Sequence, residues 1–516
     1  MHTERIAIVG AGIGGLAAAI ELAASGLDVS VFERAAAPGG KLREVPLGAA
    51  RLDAGPTVLT MRWVFDALFE RAGARLDDAL HLQAAGLLAR HAWSRGERLD
   101  LHADIARSAD AIGRFAGAAE ARGYLDFCAR SQRVYRALEQ PFLRAGRTTP
   151  WGLFARTPCH DWPALASISP FTTLWRALGQ HFRDPRLRQL FGRYATYCGS
   201  SPFDAPATLM LVAHVEQQGV WLVDGGMQRL ADALTALARR LGVRLRCGAE
   251  VEAIEFAQGR ATGLRLAGGE RIEADAVLFN GDVAALAAGR LGEAARAAVA
   301  AAPAAQRSLS AITWHLVATA RGLPLLRHTV FFSANYAAEF ADLRAGRLPA
   351  APTVYVCAQD RGADDGPPPD GLERLMCLVN APARGAGRAL ADEEIARCET
   401  QTFQALARCG LRLSPGPQPT LRTTPSDFAH RFPATGGALY GPASQGWRSA
   451  FTRCGARSRI PGLYLAGGST HPGPGVPMAA LSGHLAAASL LQDLARRRAS
   501  IATWPRAATP GGTSMP

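Results

Sequence analysis

Three glycines near the start of the chain, followed by one carboxylate, have the types and spacing needed to hold a dinucleotide. Gly10, Gly12 and Gly15 form G-x-G-x-x-G. Gly10 permits a tight turn, Gly12 lets a pyrophosphate approach the backbone, and Gly15 lets a helix pack closely on a strand. Glu33 follows Gly12 by 21 residues and can accept hydrogen bonds from a ribose diol. The pattern predicts a bound dinucleotide; the alternative is a glycine-rich turn that serves only packing.

The residues around this motif predict the elements that would position it. Residues 5–9 form a short apolar run rich in β-branched side chains, which is typical of a buried parallel strand. The Ala- and Leu-rich residues 14–25 favour a helix, with Gly26 at its C-terminal cap. Residues 27–32 predict a second strand that ends at Glu33. This order would bring the free N–H groups of the helix N-terminus to the phosphates.

Three other stretches could also approach a ligand closely. Residues 38–41 read Pro-Gly-Gly-Lys, and paired glycines let the backbone pass near a bound molecule. Residues 51–57 read Arg-Leu-Asp-Ala-Gly-Pro-Thr and follow soon after. Near the C-terminus, residues 460–478 predict a strand and a glycine-rich loop, and residues 479–494 predict a long helix of small residues. This order returns the C-terminus to the first domain.

The overall charge narrows the possible partners. The chain of 516 residues has a net charge of +13, which suits either nucleic acid or an anionic membrane surface. Its basic residues are scattered, with a single run at residues 496–498, and no nucleic-acid motif is present. We therefore predict a membrane surface and no nucleic acid. No apolar run is a convincing membrane span, so this contact is predicted to be peripheral.

Cysteine usage and the N-terminus predict a cytoplasmic protein. None of the nine cysteines forms C-x-x-C or has a histidine at metal-ligand spacing, which indicates reduced thiols and no metal site. The first strand begins almost at the first residue, which leaves no room for a signal peptide. Between Trp151 and Tyr197 aromatic residues are frequent. They form either an ordinary aromatic core or an apolar tunnel wall or membrane-facing lid.

Taken together, these motifs resemble a known family. The glycine motif, Glu33 and the Gly39-Gly40 pair resemble the N-terminus of the flavoprotein oxidoreductases that include amine oxidases and carotenoid desaturases. With residues 53–57 and 471–478 added, the chain looks like a bacterial phytoene desaturase-type carotenoid desaturase over nearly its whole length. Residues 53–65 are most similar to the 1-hydroxycarotenoid 3,4-desaturases, also called methoxyneurosporene desaturases. The resemblance implies FAD rather than NAD.

The resemblance also implies a fold. It is an α/β protein with a Rossmann-type FAD-binding domain and an inserted substrate domain of mixed sheet and helices. The expected segments, in chain order, are FAD-binding residues 1–100, a helical, aromatic-rich, membrane-facing insertion at 101–220, FAD-binding residues 221–300, a substrate domain at 301–450, FAD-binding residues 451–495 and a disordered tail at 496–516.

Carried over residue by residue, the resemblance predicts the cofactor contacts. Val251 would make main-chain contacts near the adenine end of FAD. The start of the last helix would place N–H groups near a flavin carbonyl. The full set of predicted cofactor-binding residues is Gly10, Gly12, Ile13, Gly14, Gly15, Glu33, Arg34, Gly39, Gly40, Lys41, Gly55, Pro56, Thr57, Val251, Gly468, Val476, Pro477 and Met478.

The implied reaction removes a hydride and a proton from adjacent carbons of a carotenoid, with FAD as the electron sink. A polyene delocalises the developing charge, so a strong catalytic dyad is not required, in agreement with the absence of a triad, metal signature or cysteine nucleophile. The proton acceptor is not identified. His471 and Asp53 are candidates, although His471 also suits a loop residue bonded to backbone and Asp53 a structural carboxylate.

Other functions stay open at this point. The same scaffold supports phytoene desaturation or carotenoid isomerisation. Amine oxidation would call for an aromatic cage, for which the sequence has no clear mark. A non-catalytic prenyl-lipid escort would not need Glu33 or the paired glycines. The carotenoid substrate implies a place at the cytoplasmic face of the inner photosynthetic membrane.

Overall fold

A computed structural model describes residues 3–158, 162, 168–300, 307–367, 369–385, 387 and 389–502. The strands are β1 (Arg5–Val9), β2 (Asp28–Glu33), β3 (Glu44–Leu47), β4 (Ala50–Asp53), β5 (Leu59–Thr60), β6 (Leu82–Ala84), β7 (Leu87–Ser94), β8 (Glu97–His102), β9 (Val220–Val223), β10 (Arg244–Cys247), β11 (Val251–Ala257), β12 (Arg260–Leu266), β13 (Arg271–Glu273), β14 (Ala276–Phe279), β15 (Ser310–Gly322), β16 (His328–Phe331), β17 (Val354–Ala358), β18 (Glu373–Ala381), β19 (Leu411–Pro415), β20 (Leu421–Thr423) and β21 (Leu463–Leu465).

The α-helices of the described residues vary from one turn to more than seven. In chain order they are Ile13–Ala24, Trp63–Arg71, Ile105–Ala116, Ala118–Leu138, Pro150–Arg156, Leu174–Leu178, Pro185–Gly192, Leu211–Gln217, Gln228–Arg240, Val283–Ala287, Tyr336–Arg344, Asp392–Arg408, Pro425–Arg431, Ser449–Thr452 and Val476–Ala502.

A five-stranded parallel sheet carries the glycine motif. Its strand order is β10-β2-β1-β14-β21, with β1 between β2 and β14. The central residues of β1 are buried, which explains why this strand is apolar throughout. The helix Ile13–Ala24 is buried along nearly its whole length, between the sheet and the last helix, so its small side chains are required. The predicted strand–helix–strand unit is confirmed to within a residue or two.

The second sheet is larger and mostly antiparallel. Its order is β19-β15-β18-β17-β16-β7-β8, with β20 also paired to β15. Four of its strands, β15 to β18, correspond to residues 309–318, 329–332, 353–358 and 374–381, which the sequence predicts as strands of a second, more antiparallel sheet. Strand β7 and most of β8 lie in residues 58–100, which the sequence predicts as mixed helix and strand of the first FAD-binding segment, but β7 joins β16 in parallel. The first FAD-binding segment, predicted as 1–100, therefore ends before β7, because β7 and β8 pair with the substrate sheet.

A helical layer follows β8 and has its own core. Phe127, Phe182 and Phe191 are buried there with ring centroids 4.8–5.6 Å apart. This part of the aromatic segment is an ordinary core. Other aromatics of the same segment, above all Trp151, are exposed. The aromatic-core interpretation is therefore confirmed for the buried subset, and a membrane-facing role of the exposed subset stays a prediction.

The last helix closes the FAD-binding side of the molecule. It starts at Val476, three residues before the predicted start, and packs along the first helix. It continues to Ala502, so the tail predicted from residue 496 is helical for its first seven residues. The rest of the predicted tail, residues 503–516, lies outside the described residues, as does Cys159.

Candidate active site

The glycine turn forms at the carboxyl end of β1. The Gly10 N–H donates to the Phe32 carbonyl at 2.8 Å, which fixes the turn on β2. A methyl group on Gly15 would lie 2.2 Å from the Gly10 carbonyl oxygen, so only glycine fits there. Ile13 and Gly14 form the first turn of the helix, and both are buried. The glycine turn therefore has the geometry that a phosphate-binding turn requires, and phosphate binding by it stays a prediction.

Glu33 ends β2 beside this turn. Its carboxylate accepts the Ala11 N–H at 2.8 Å through one oxygen and the Ala35 N–H at 2.8 Å through the other. Each carboxylate oxygen has a second lone pair that can accept from a ribose hydroxyl. The Glu33 carbonyl accepts from Ala249, which leads into β11 and Val251. The segment that leads to Val251 therefore lies against the end of β2 that carries Glu33.

The paired glycines lie against the turn. Gly39 donates its N–H to the Ala11 carbonyl at 2.9 Å, and Gly12 and Gly39 form an isolated parallel bridge. Gly40 follows so closely that a methyl on it would lie 3.1 Å from the Gly12 Cα. Arg34 points elsewhere, since its guanidinium donates to the His430 carbonyl at 2.8 Å on the surface.

Asn280, a polar residue that is not among the predicted cofactor-binding residues, lies against the glycine turn. The Asn280 side-chain amide donates to the Gly10 carbonyl at 3.2 Å, while its Oδ1 atom is buried with no partner in the described chain. An orphaned buried oxygen at a phosphate-binding turn fits a site that receives a polar ligand. The sequence held a signal for Asn280, because the apolar run of β14 ends there at a polar turn.

One large cavity, of about 510 Å³, begins at the predicted flavin end of the site. It runs between the larger sheet, the helical layer and the loops at residues 54–58 and 472–475, and most of its wall is apolar. Seven of the predicted cofactor residues line it: Lys41, Gly55, Pro56, Thr57, Val476, Pro477 and Met478. The glycine turn, Glu33 and Val251 do not line it, as expected for the adenine and phosphate end.

Lys41 is held in place at the cavity wall. Its ammonium donates to the Leu439 carbonyl and lies 5.2 Å from the centre of the Phe432 ring. Burial lowers the pKa of Lys41. Arg43, also in the wall, has a pKa lowered by burial to about 10. These two cations give the flavin end a positive character that suits an anionic ring system.

The last helix presents its N-terminus to the cavity. Val476, Pro477 and Met478 form its first turn, where backbone N–H groups lack intrahelical acceptors. The preceding loop is held by Arg453, which is 4% exposed and donates to the carbonyls of Gly468, Tyr440 and Pro442. The sequence carried no signal for Arg453, one of 57 basic residues.

Neither candidate proton acceptor lines the cavity. The Asp53 carboxylate accepts the Met227 N–H at 3.0 Å, and Gln359 bonds its backbone, so Asp53 joins three segments. His471 Nε2 lies 2.9 and 3.0 Å from the Phe142 and Ala145 carbonyls, and burial lowers the pKa of its imidazole. Both residues are bonded to backbone groups outside the cavity lining, which is what the structural interpretation expects.

Metal and disulfide chemistry find no support among the described residues. Over the ranges given above, no group of three or more His, Cys, Asp or Glu side chains is placed to hold a metal ion. The eight cysteines in that part of the chain are free thiols.

The parallel sheet, glycine turn, ribose carboxylate and flavin-end cavity define the class: an FAD-binding oxidoreductase of the Rossmann type. Residues 13–491 match the model of the flavin-containing amine oxidoreductases. The chain is 55% identical to a hydroxyneurosporene desaturase from Rubrivivax gelatinosus, over 96% of this chain and 94% of that one. It is 47% identical to the hydroxyneurosporene desaturase of Cereibacter sphaeroides, over 96% and 98%.

Among solved structures, wild-type putrescine oxidase bound to putrescine has a TM-score of 0.57 at 17% identity, covering 96% of this chain and 100% of that one. This likeness shows the fold. The chain therefore belongs to the flavin-containing amine oxidoreductase family, and FAD is its cofactor.

Proposed function

We propose that this enzyme is a carotenoid desaturase that introduces the C-3,4 double bond into 1-hydroxycarotenoids such as 1-hydroxyneurosporene. The observation that carries the proposal is the 55% identity to a hydroxyneurosporene desaturase along 96% of the chain. The cavity supports it, because its apolar wall suits a polyene and its end at Gly55, Pro56 and Thr57 meets the flavin site. Phytoene desaturation, isomerisation and lipid escort have no comparable support.

The side chains of the cavity have a limited chemical task. FAD supplies the hydride acceptor when bound. The apolar walls bind the polyene and exclude water, while the loop at Gly55–Thr57 holds the reacting bond against the cofactor site. Since a conjugated chain delocalises developing charge, the protein contributes mainly orientation. This agrees with the structural roles of His471 and Asp53.

Product analysis tests the proposal. Purified FAD-loaded protein is incubated with 1-hydroxyneurosporene in liposomes, and the carotenoids are read by absorbance and mass. We expect loss of two hydrogens and a red-shifted polyene. A protein inert to this substrate but active on phytoene would contradict the substrate. A product of unchanged mass would indicate isomerisation, and a protein that takes up no FAD would indicate an escort.

We further propose that the cavity opens onto a membrane surface. No helix in the described ranges is both long and apolar enough to cross a bilayer. Four aromatic residues, which we call the aromatic rim, belong to segments that also line the cavity, through Leu153, Pro170 and Trp447: Trp151, Phe154, Phe171 and Trp447. Trp151 is 85% and Phe171 78% exposed, and the Phe171 and Trp447 rings are 5.4 Å apart.

The rim is continuous with the cavity and flanked by cations. Leu153, next to two rim residues, and Trp447 itself line the cavity. Arg147, Arg156 and Arg448 are exposed around them. Exposed aromatic side chains with arginines at their edge suit the interface of an anionic bilayer, into which the aromatic rings insert. A water-insoluble polyene could then pass from lipid to the cavity without crossing water.

A further inference from the structure

The mainly apolar cavity contains a polar patch that a hydrocarbon substrate would not need. Arg193, Tyr197 and Tyr355, which we call the hydroxyl anchor, all line the cavity. Arg193 and Tyr197 belong to the short 3-10 helix Arg193–Cys198, and Tyr355 belongs to β17. Tyr197 keeps 38% of its surface accessible, and that surface faces the cavity.

Hydrogen bonds connect the anchor to the flavin end of the cavity. The Tyr355 hydroxyl is 2.8 Å from the Thr57 hydroxyl and 2.7 Å from His328 Nδ1. Burial lowers the pKa of His328 to about 3, so this histidine is neutral and can accept or donate. Tyr355 is thus fixed by two polar partners, one of which belongs to the predicted flavin loop. The anchor therefore lies next to that loop.

The Arg193 guanidinium has spare donors. Nη1 donates to the Tyr197 hydroxyl at 3.2 Å, and the guanidinium carbon lies 5.3 and 5.2 Å from the centres of the Tyr197 and Tyr355 rings. Within the described residues no carboxylate oxygen lies within 4.0 Å of it. A guanidinium has five N–H donors, so most of them are free to meet an oxygen in the cavity.

An acceptor for a ligand proton is also present. Glu216, in the helix Leu211–Gln217, lines the cavity and accepts the Tyr194 hydroxyl at 2.7 Å. Burial raises the pKa of the Glu216 carboxyl, which agrees with its position in an apolar surrounding. The polar patch therefore offers both donors and an acceptor, as an alcohol requires. A single hydroxyl group could accept a hydrogen bond from these donors and donate one to Glu216 without adding charge.

We propose that Arg193 and Tyr197, supported by Tyr355, bind the tertiary hydroxyl on C-1 of the substrate and so select the C-3–C-4 bond for desaturation. This inference rests on the proposed function. The C-1 oxygen is three bonds from C-3, a distance of no more than about 4 Å. An oxygen held beside Tyr355, whose hydroxyl is 2.8 Å from Thr57, keeps C-3 and C-4 at the flavin end.

The anchor also explains discrimination between substrates. A carotenoid without the hydroxyl would cover Arg193 with hydrocarbon and leave its donors unpaired. Sites built to bind a hydroxyl reject the analogue that lacks it far more strongly than apolar pockets reject a change of size. The enzyme is therefore expected to prefer 1-hydroxyneurosporene over neurosporene.

The test compares kcat/KM for 1-hydroxyneurosporene and neurosporene in liposomes, for the FAD-loaded wild type and variants. Arg193→Met removes the donors and keeps an apolar side chain of similar length. We expect kcat/KM for the hydroxylated substrate to fall about 100-fold, with little change for neurosporene. Arg193→Lys should recover part of the loss. Arg176→Met is the control, because Arg176 is exposed outside the cavity, and it should keep the wild-type preference.

Tyr355→Phe gives an independent measurement if Arg193→Met does not load FAD. It removes one oxygen and keeps the ring, and it should reduce the preference for the hydroxylated substrate. An equal loss on both substrates, or an unchanged preference in both variants, would overturn the hydroxyl anchor while leaving desaturation intact. A wild type that desaturates no hydroxycarotenoid would instead overturn the proposed function itself.

Discussion

Glu33 shows how one side chain serves both the fold and the cofactor. Its two carboxylate oxygens hold the N–H groups of Ala11 and Ala35, each at 2.8 Å, and so join the glycine turn to the end of β2. The same oxygens are the predicted acceptors for the ribose. The carboxylate thus shapes the site before the ligand arrives, and hydrogen bonds to a charged acceptor are stronger than neutral ones.

Glu33→Gln should weaken FAD binding. The amide leaves one oxygen as acceptor, so one backbone N–H or the ribose loses its partner. We expect the Kd for FAD to rise about 10- to 100-fold, as for the loss of one charge-assisted hydrogen bond. Titration of the apoprotein with FAD measures this. Glu252→Gln, at an exposed position on β11, is the matched control, and an equal rise in both variants would contradict the role given to Glu33.

At this scale the sequence predicted binding residues better than side-chain roles. Gly10, Gly15 and Glu33 were found because their chemistry depends on local spacing along the chain. The contacts of Arg453 and the role proposed for Arg193 could not be predicted, because both depend on distant segments that surround these side chains. The sequence placed His471 in the loop before the last helix. It could not predict which groups the imidazole contacts, because these are the carbonyls of residues 142 and 145, more than 300 positions away.

The contact between the first and last helices holds the two ends of the chain together. Gly483 lies so close to the first helix that a methyl group on it would be 2.1 Å from the Gly14 carbonyl oxygen. Gly14 lies in the first turn of the helix Ile13–Ala24, and the last helix also carries Val476–Met478 to the cavity. The spacing of these two helices therefore controls both halves of the cofactor site.

Gly483→Ala should disturb this contact. The added methyl forces the helices apart, and we expect a destabilisation of about 1–3 kcal/mol with weaker FAD retention. Thermal unfolding and flavin release measure the two effects. Gly113→Ala is the control: it is also in a helix, but its methyl would meet a neighbour at 3.5 Å, an ordinary contact. Equal Tm values for Gly483→Ala and the wild type would contradict the close packing.

A buried carboxyl joins the helix Tyr336–Arg344 to the substrate sheet. Glu339 is 2% exposed and accepts from Ser333 at 2.8 Å and Thr353 at 2.6 Å. Burial raises the pKa of Glu339 from 4.5 to about 7. Between these values the native protein keeps a proton that the unfolded chain releases, so stability falls as pH rises.

Glu339→Gln should remove this pH dependence. Relative to the variant, the wild type is expected to lose up to about 3 kcal/mol of unfolding free energy between pH 4.5 and 8. Urea unfolding of the FAD-loaded proteins at both pH values provides the comparison. Glu293→Gln, at a position whose side chain is 82% exposed, should follow the wild type. A wild type that gains stability over this pH range relative to Glu339→Gln would contradict the assignment.

Helices and strands could be predicted where the hydrophobic pattern along the chain is strong. Which sheet a strand joins could not be predicted. The strands near residues 309–381 were expected, but β7 and β8 were assigned to the wrong domain. Their sequence is that of an ordinary hairpin, and the parallel pairing of β7 with β16 joins residues more than 200 positions apart. No local pattern encodes which sheet a hairpin will join, so this part of the fold needed the structure.

At the scale of the whole molecule, we propose that the aromatic rim orients this basic protein on a membrane surface. Net charge alone predicted a membrane surface but not where it lies. The exposed Trp151 and Phe171 lie within two positions of the cavity-lining residues Leu153 and Pro170, and three exposed arginines are close to the rim residues along the chain. The molecule would then dock with its cavity mouth toward the lipid.

The Trp151→Ala, Phe171→Ala double variant should bind vesicles more weakly. Each aromatic ring removed takes apolar surface out of the interface, and we expect partitioning to fall about 10-fold or more. Co-sedimentation with phosphatidylglycerol-containing vesicles measures binding, and added salt should reduce it for both proteins. Phe182 is buried and unsuitable as a control, so the exposed Leu372→Ala serves instead. Unchanged vesicle binding in the double variant would contradict the rim.

The most direct test of the whole account is an anaerobic single turnover. FAD-loaded protein and an excess of 1-hydroxyneurosporene in liposomes are mixed without any external electron acceptor, and flavin bleaching is followed beside carotenoid mass. The account predicts one molecule of carotenoid lacking two hydrogens for each flavin bleached. Formation of that product with the flavin still oxidised, or bleaching without a desaturated product, would contradict it.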